Sequence, residues 1–151
     1  MAQVRCPYCH EYIDEAAFAA HEAGHRKARP DGQQTDYATL PEEERELGDL
    51  AGVPRVYVHR KCGAATGMPE EIIRSYLKNP YMYMADATFC TGCRRHVPFR
   101  ECVWTETGED LQSYTDKLRA EKPEMKPKGC LAAMLLVGVG LTGAVAAFAL
   151  A

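Results

Sequence analysis

The sequence predicts small α+β modules followed by a C-terminal transmembrane helix. Three observations predict it. Cysteine and histidine recur in close pairs at four places before residue 94: Cys6/Cys9, His21/His25, His59/Cys62 and Cys90/Cys93. Between and after these pairs, short β-branched and aromatic runs alternate with short amphipathic ones, and none is long enough to enclose a large core alone. Residues 129–151 carry no charged side chain at all.

The chain has 151 residues, room for one modest domain or two small ones. Its formal net charge is −3. A chain devoted to DNA or RNA is usually basic, because neutralising phosphate supplies most of the affinity, so this balance counts against nucleic acid as the main partner. Of seven cysteines, four form two CxxC pairs. Cysteine mixed with histidine at ligand spacing points to zinc rather than to disulfides. The N-terminal stretch MAQVRCPYC has no apolar segment of the secretory kind, so a reducing compartment is expected, which suits thiolate ligands. The chain divides into residues 1–29, a small metal finger; 30–55, an acidic linker; 56–121, a second α+β module; 122–128, a basic linker; and 129–151, the apolar helix.

The finger is carried by CPYCHEYIDEAAFAAHEAGH. Zinc takes four tetrahedral nitrogen or sulfur ligands. A CxxC turn brings two sulfurs to one ion, and histidines four positions apart lie on one helix face, one turn from each other. Cys6, Cys9, His21 and His25 are therefore the expected ligands. This stretch resembles the zinc-finger family whose ligands are two cysteines and two histidines, with Ile13 and Phe18 near the apolar positions that pack behind the metal. The gap from Cys9 to His21 is eleven residues, where about twelve is usual. The base-reading helix positions of such fingers fall here on Asp14, Ala17 and Ala20. Alanine offers no hydrogen bond to a base, and Glu11, Asp14, Glu15 and Glu22 would meet phosphate unfavourably.

In the linker, TLPEEERELGDL predicts a short helix from a Thr39 cap to about Leu50, with Pro41 in its first turn and Glu42 to Glu44 on the favourable end of its dipole; Gly52 and Pro54 end it.

In the second module, VPRVYVH reads as a strand. MPEEIIRSYLKNP reads as a helix with Ile72, Ile73, Tyr76 and Leu77 on one face, ended by Asn79-Pro80. TFCTGC reads as a metal-binding turn, HVPFRECVW as a following strand, and Glu109 to Ala120 as a second helix with Leu111, Tyr114 and Leu118 on one face. His59/Cys62 and Cys90/Cys93 make two knuckles, with Gly63 and Gly92 relieving the turns. The set of one histidine and three cysteines resembles the zinc-ribbon group, with a 27-residue spacer that carries a helix. His96 and Cys102 compete as ligands, Cys102 also suiting a buried apolar place beside Val103 and Trp104.

The final segment, GCLAAMLLVGVGLTGAVAAFALA, is long enough to cross the roughly 30 Å hydrocarbon layer at about 1.5 Å per residue. GVGLTG within it matches GxGxxG but has no room for the βαβ unit that a dinucleotide site requires. Lys122, Lys126 and Lys128 favour a cytoplasmic face for the preceding modules. Gly140 and Ala144 form a small-xxx-small pair that could support homo-oligomers, and Cys130 sits where acylation could occur.

The function expected from these readings is that of a single-pass membrane protein, C-terminally anchored. It displays two structural zinc modules to the cytoplasm and recruits a protein partner. The alternative is a membrane-tethered nucleic-acid binder. An enzyme is disfavoured: HExxH is absent, and CTGC lacks the βαβ setting of thiol redox proteins.

Overall fold

The computed structural model describes residues 1–127. It is a small α+β structure with three α-helices and antiparallel sheets. The transmembrane segment, Cys130 and the Gly140/Ala144 pair lie outside the described residues. Among the described residues no helix is long and apolar enough to cross a membrane.

The first unit is a hairpin and a helix. β1 (Gln3–Arg5) pairs antiparallel with β2 (Tyr12–Asp14), Val4 opposite Ile13. α1 (Glu15–His25) follows at once, with Asp14 at its N-cap. Its sequence, EAAFAAHEAGH, favours helix through alanine and glutamate rather than through an apolar stripe. No residue of α1 is buried. Ile13 and Phe18 are only half-buried. This unit therefore has almost no hydrophobic core to hold it together.

The linker does not form the expected helix. Only a 3₁₀ turn, Glu42–Glu44, is present, and Pro41 rather than Thr39 precedes it. Tertiary contacts outweigh the local helix signals. Thr39 is buried, its N–H donates to the Pro7 carbonyl at 2.9 Å, and its hydroxyl accepts from Arg45 Nη2 at 3.2 Å. Beyond Arg45, which is extended, the Glu46 N–H donates to the Arg74 carbonyl, and Leu50 is buried against the next unit. Thr39, Glu46 and Leu50 thus take partners on neighbouring elements instead of within a helix.

In the second unit, β3 (Val56–His59) is central in a three-stranded antiparallel sheet ordered β4-β3-β7, with β4 (Ala65–Gly67) and β7 (Cys102–Trp104) at its edges. β5 (Ala87–Cys90) and β6 (Arg95–Pro98) form a separate hairpin. Tyr57 joins the two sheets: its hydroxyl donates to the Phe89 carbonyl and accepts from Thr88 Oγ1. α2 (Glu70–Lys78) meets α3 (Leu111–Glu121) through Tyr76 and Tyr114, and α3 packs against β7. Asp110 caps α3, accepting from the Ser113 N–H at 2.8 Å, an interaction worth about 1 kcal/mol.

Two apolar clusters result. One contains Tyr57, Cys90, Val97, Phe99, Cys102, Trp104 and Leu111; the other contains Leu50, Ile73 and Tyr76. Met68 and Tyr114 pack against both and join them. Ile73 and Leu111 are fully buried, each contributing about 1.5–3 kcal/mol by leaving water.

Candidate metal centres

Three tight turns position the cysteines, and they share one geometry. The N–H of the residue after the second ligand returns to the carbonyl of the first: His10 to Cys6 at 2.9 Å, Gly63 to His59 at 2.8 Å, Arg94 to Cys90 at 2.7 Å. In each turn that returning residue has positive φ, at 66° for His10, 73° for Gly63 and 55° for Arg94. Gly63 takes this conformation without penalty, whereas His10 and Arg94 take it at a cost. Gly92, expected to relieve its turn in the same way, does something else. A Cβ at Gly92 would lie 2.5 Å from the Ala64 Cβ and 3.1 Å from Cys62 Sγ. The glycine lets the two knuckles close on each other.

The first centre brings together Cys6 and Cys9 from the β1–β2 turn and His21 and His25 from α1, as the spacing implies. Their ligand atoms all lie within 4.8 Å of one another. Cys9 Sγ is 3.3 Å from His21 Nε2, and the two Nε2 atoms of His21 and His25 are 3.1 Å apart. His25 Nδ1 faces Asp36 Oδ2 at 2.6 Å. An Nδ1–H that donates to the carboxylate leaves the Nε2 lone pair pointing inward, where a metal ion would receive it. Tyr8 stacks on the outer face of His25, with centroids 5.1 Å apart and planes 10° from parallel. Burial and the neighbouring Cys6 raise the Cys9 thiol above its ordinary value. A dication at this point would reverse that effect, because it stabilises both thiolates.

The second centre brings together His59, Cys62, Cys90 and Cys93, again with all ligand atoms within 4.8 Å. His59 ends β3 and is 1% exposed. Its Nδ1 lies 3.3 Å from Cys62 Sγ and 3.4 Å from Cys93 Sγ, and Cys62 Sγ is 3.4 Å from Cys90 Sγ. Its Nε2 faces Glu101 Oε2 at 3.1 Å. The carboxylate is in turn held by Lys61 Nζ at 2.7 Å, and Lys61 and His59 keep Glu101 below the usual carboxylate range. The thiols divide in character. Backbone hydrogen bonding from Ala64 lowers Cys62, while hydrogen bonding to Cys62 and burial push Cys93 up to about 11. Three sulfurs this close cannot all ionise unless a cation offsets the repulsion.

Comparison of the chain with protein-family models, curated proteins and solved structures returns no match. The centres are therefore read from their own geometry. Two separate cysteine/histidine groups within metal-binding distance are consistent with two zinc ions. Each offers soft sulfur and imidazole donors in the number that tetrahedral zinc takes.

Neither competing ligand joins the second group. Cys102 is wholly buried in the larger apolar cluster, where burial pushes its thiol up to about 12. His96 lies edge-on to Phe89, with centroids 5.9 Å apart. CTGC sits between the antiparallel strands β5 and β6, a hairpin rather than a βαβ unit.

Sequence reasoning missed the two carboxylates. Asp36 lies eleven residues beyond His25 in an irregular loop, and Glu101 lies 42 beyond His59. Neither distance follows a helix or strand period. The one available signal was chemical: a ligating imidazole needs an acceptor for its outer N–H.

Proposed function

We propose that the protein is a membrane-held scaffold in which two structural zinc ions shape a surface for a protein partner. The observation that carries the zinc assignment is the pair of four-donor groups, each with ligand atoms within 4.8 Å and each backed by a carboxylate on a histidine. Cys6, Cys9, His21 and His25 hold one ion; His59, Cys62, Cys90 and Cys93 hold the other. Four protein donors fill a tetrahedral shell and leave no position for a substrate or activated water, which favours a structural over a catalytic role. In this reading the first unit is a ββα finger and the second a ribbon-like module enlarged by helices.

The membrane part rests on the uncharged residues 129–151 and the lysines before them. Recruitment of protein rather than nucleic acid rests on the net charge of −3 and on Asp14, Ala17 and Ala20, which lie exposed on α1 and its cap yet carry no base-reading amide or guanidinium.

Metal analysis of the full chain tests the centre of the proposal, with two zinc ions per chain expected and loss of structure on chelation. A chain that folds without metal would sink it. Flotation with liposomes tests the anchor: the full chain should float, and deletion of residues 129–151 should abolish flotation. Steeply salt-dependent binding of DNA or RNA would favour the nucleic-acid alternative instead.

A further inference from the structure

The described residues hold six cysteines, and Cys62 is the exposed one among them. Cys6, Cys90 and Cys102 are buried, and Cys9 and Cys93 are half-buried. Cys62 sits in the first knuckle of the second centre, between exposed Lys61 and exposed Gly63. Its Sγ lies against Gly92, which is itself exposed and has no side chain to screen the sulfur. On the other side, Cys90 Sγ is 3.4 Å away. An exposed sulfur is thus in contact with a buried one. Redox-sensitive cysteines have this arrangement: an accessible thiolate meets the oxidant and a neighbouring sulfur resolves the product. The first centre lacks it, since neither Cys6 nor Cys9 is exposed, and Cys102 is enclosed in the larger apolar cluster.

Zinc coordination, the reading on which this inference rests, deprotonates both sulfurs outright. We propose that Cys62 and Cys90 form a modification site for hydroperoxides, at which oxidation to a disulfide releases the second zinc ion. The Cys62 thiolate attacks the terminal oxygen of the hydroperoxide. A sulfur–oxygen bond forms, the oxygen–oxygen bond breaks, and the departing alkoxide (hydroxide, from hydrogen peroxide) takes a proton from solvent. Cys62 has then lost two electrons and is a sulfenic acid. The Cys90 thiolate attacks its sulfur, the disulfide forms, the sulfur–oxygen bond breaks, and hydroxide leaves and is protonated to water. In sum, two thiolates, one hydroperoxide and two protons give one disulfide, one alcohol and one water.

The required movement is small. A disulfide of about 2.0 Å needs the two sulfurs to close by roughly 1.4 Å, which the exposed Cys62 turn can supply. His59 and Cys93 then remain as donors, and two donors do not fill the tetrahedral shell of a structural site. The turn that carries Cys90 also carries Arg94, which donates to the Pro30 and Asp31 carbonyls of the linker. Oxidation therefore loosens the surface that the second ion shapes, and a thiol reductant reverses it.

The test uses the full chain loaded with two zinc ions, one molar equivalent of hydrogen peroxide and a chromophoric chelator. One of the two ions should be released, and non-reducing peptide mapping should find Cys62 bonded to Cys90. Dithiothreitol with added zinc should restore two ions. A chain that holds fewer than two ions before peroxide would sink the zinc reading, and this inference with it. Retention of both ions under peroxide, by a chain that held two, would overturn the inference alone. So would release of the first centre's ion, or a disulfide joining any other pair. Cys62→His keeps a fourth donor and removes the attacking sulfur, so it should hold both ions under the same treatment; equal loss would overturn the proposal. Where that variant loads fewer than two ions, the peptide map of the unsubstituted chain decides.

Discussion

Single atoms decide whether each metal group closes. Gly92 is the sharpest case, since its missing Cβ is the space into which Ala64 and Cys62 fit. Gly92→Ala forces two backbone turns apart and is expected to cost roughly 1–3 kcal/mol or more. Native mass spectrometry should then find one zinc per chain, with the first centre retained. The outer carboxylates act one atom further away. Asp36→Ala and Glu101→Ala each leave an imidazole N–H without its acceptor and should weaken zinc at their own centre about 10- to 100-fold. Competition with a chromophoric chelator reads this directly. If both centres weakened in either variant, the carboxylates would be acting on general stability. The two cysteine/histidine groups were legible from spacing, because CxxC and HxxxH report local turn and helix geometry. Their carboxylate partners were not, because they arrive through tertiary folding.

At the scale of elements, short helices are held by what they grip. α3 grips the loop after α2 through Arg119, which donates to the Pro80 and Tyr83 carbonyls and meets Asp86 with both Nη atoms, at 2.7 and 3.3 Å. Asp86 itself sits at φ 48°, an uncommon conformation for a non-glycine residue that this grip stabilises. Burial works against its charge, but Arg119 and Gln112 outweigh it and hold Asp86 below the usual carboxylate range. A depressed folded-state value contributes stability above the unfolded value near 4, lost as pH falls through the folded value. Asp86→Asn should therefore cost about 1–2 kcal/mol at neutral pH. In thermal melts, its deficit against the unsubstituted chain should shrink below about pH 4. A deficit independent of pH would place the effect on shape instead. α2 and α3 were legible from their periodic apolar residues. The linker helix was misread because its acids and Pro41 are local signals, while Thr39, Glu46 and Leu50 are committed to partners on other elements.

The molecule as a whole ties an almost coreless first unit to a second unit with two apolar clusters. The tie runs through the linker. Gly32 packs directly on the Arg94 backbone, Arg94 donates to the Pro30 and Asp31 carbonyls, and the Tyr83 hydroxyl donates to the Ala38 carbonyl at 2.5 Å. The two centres should nonetheless depend on metal to different degrees. Cys9→Ser removes a ligand where no helix residue is buried, so the finger should unfold. The second unit keeps its clusters, so one zinc and the near-ultraviolet signal of Trp104 should remain. Loss of that signal would mean that the finger supports the second core and not only its own metal.

The amino-acid sequence by itself determined the donor types, pointed to their grouping into two sets and marked α2 and α3. Cysteine turns, helical histidine spacing and apolar periodicity all act within a few residues. Tertiary structure alone decided that Asp36 and Glu101 stand behind the histidines, that HVPFRECVW is broken into β6 and β7 of different sheets, and that the linker is packed rather than helical. The physical reason is range: propensity and spacing act along the chain, whereas outer hydrogen bonds, sheet pairing and linker packing depend on residues that only folding brings together.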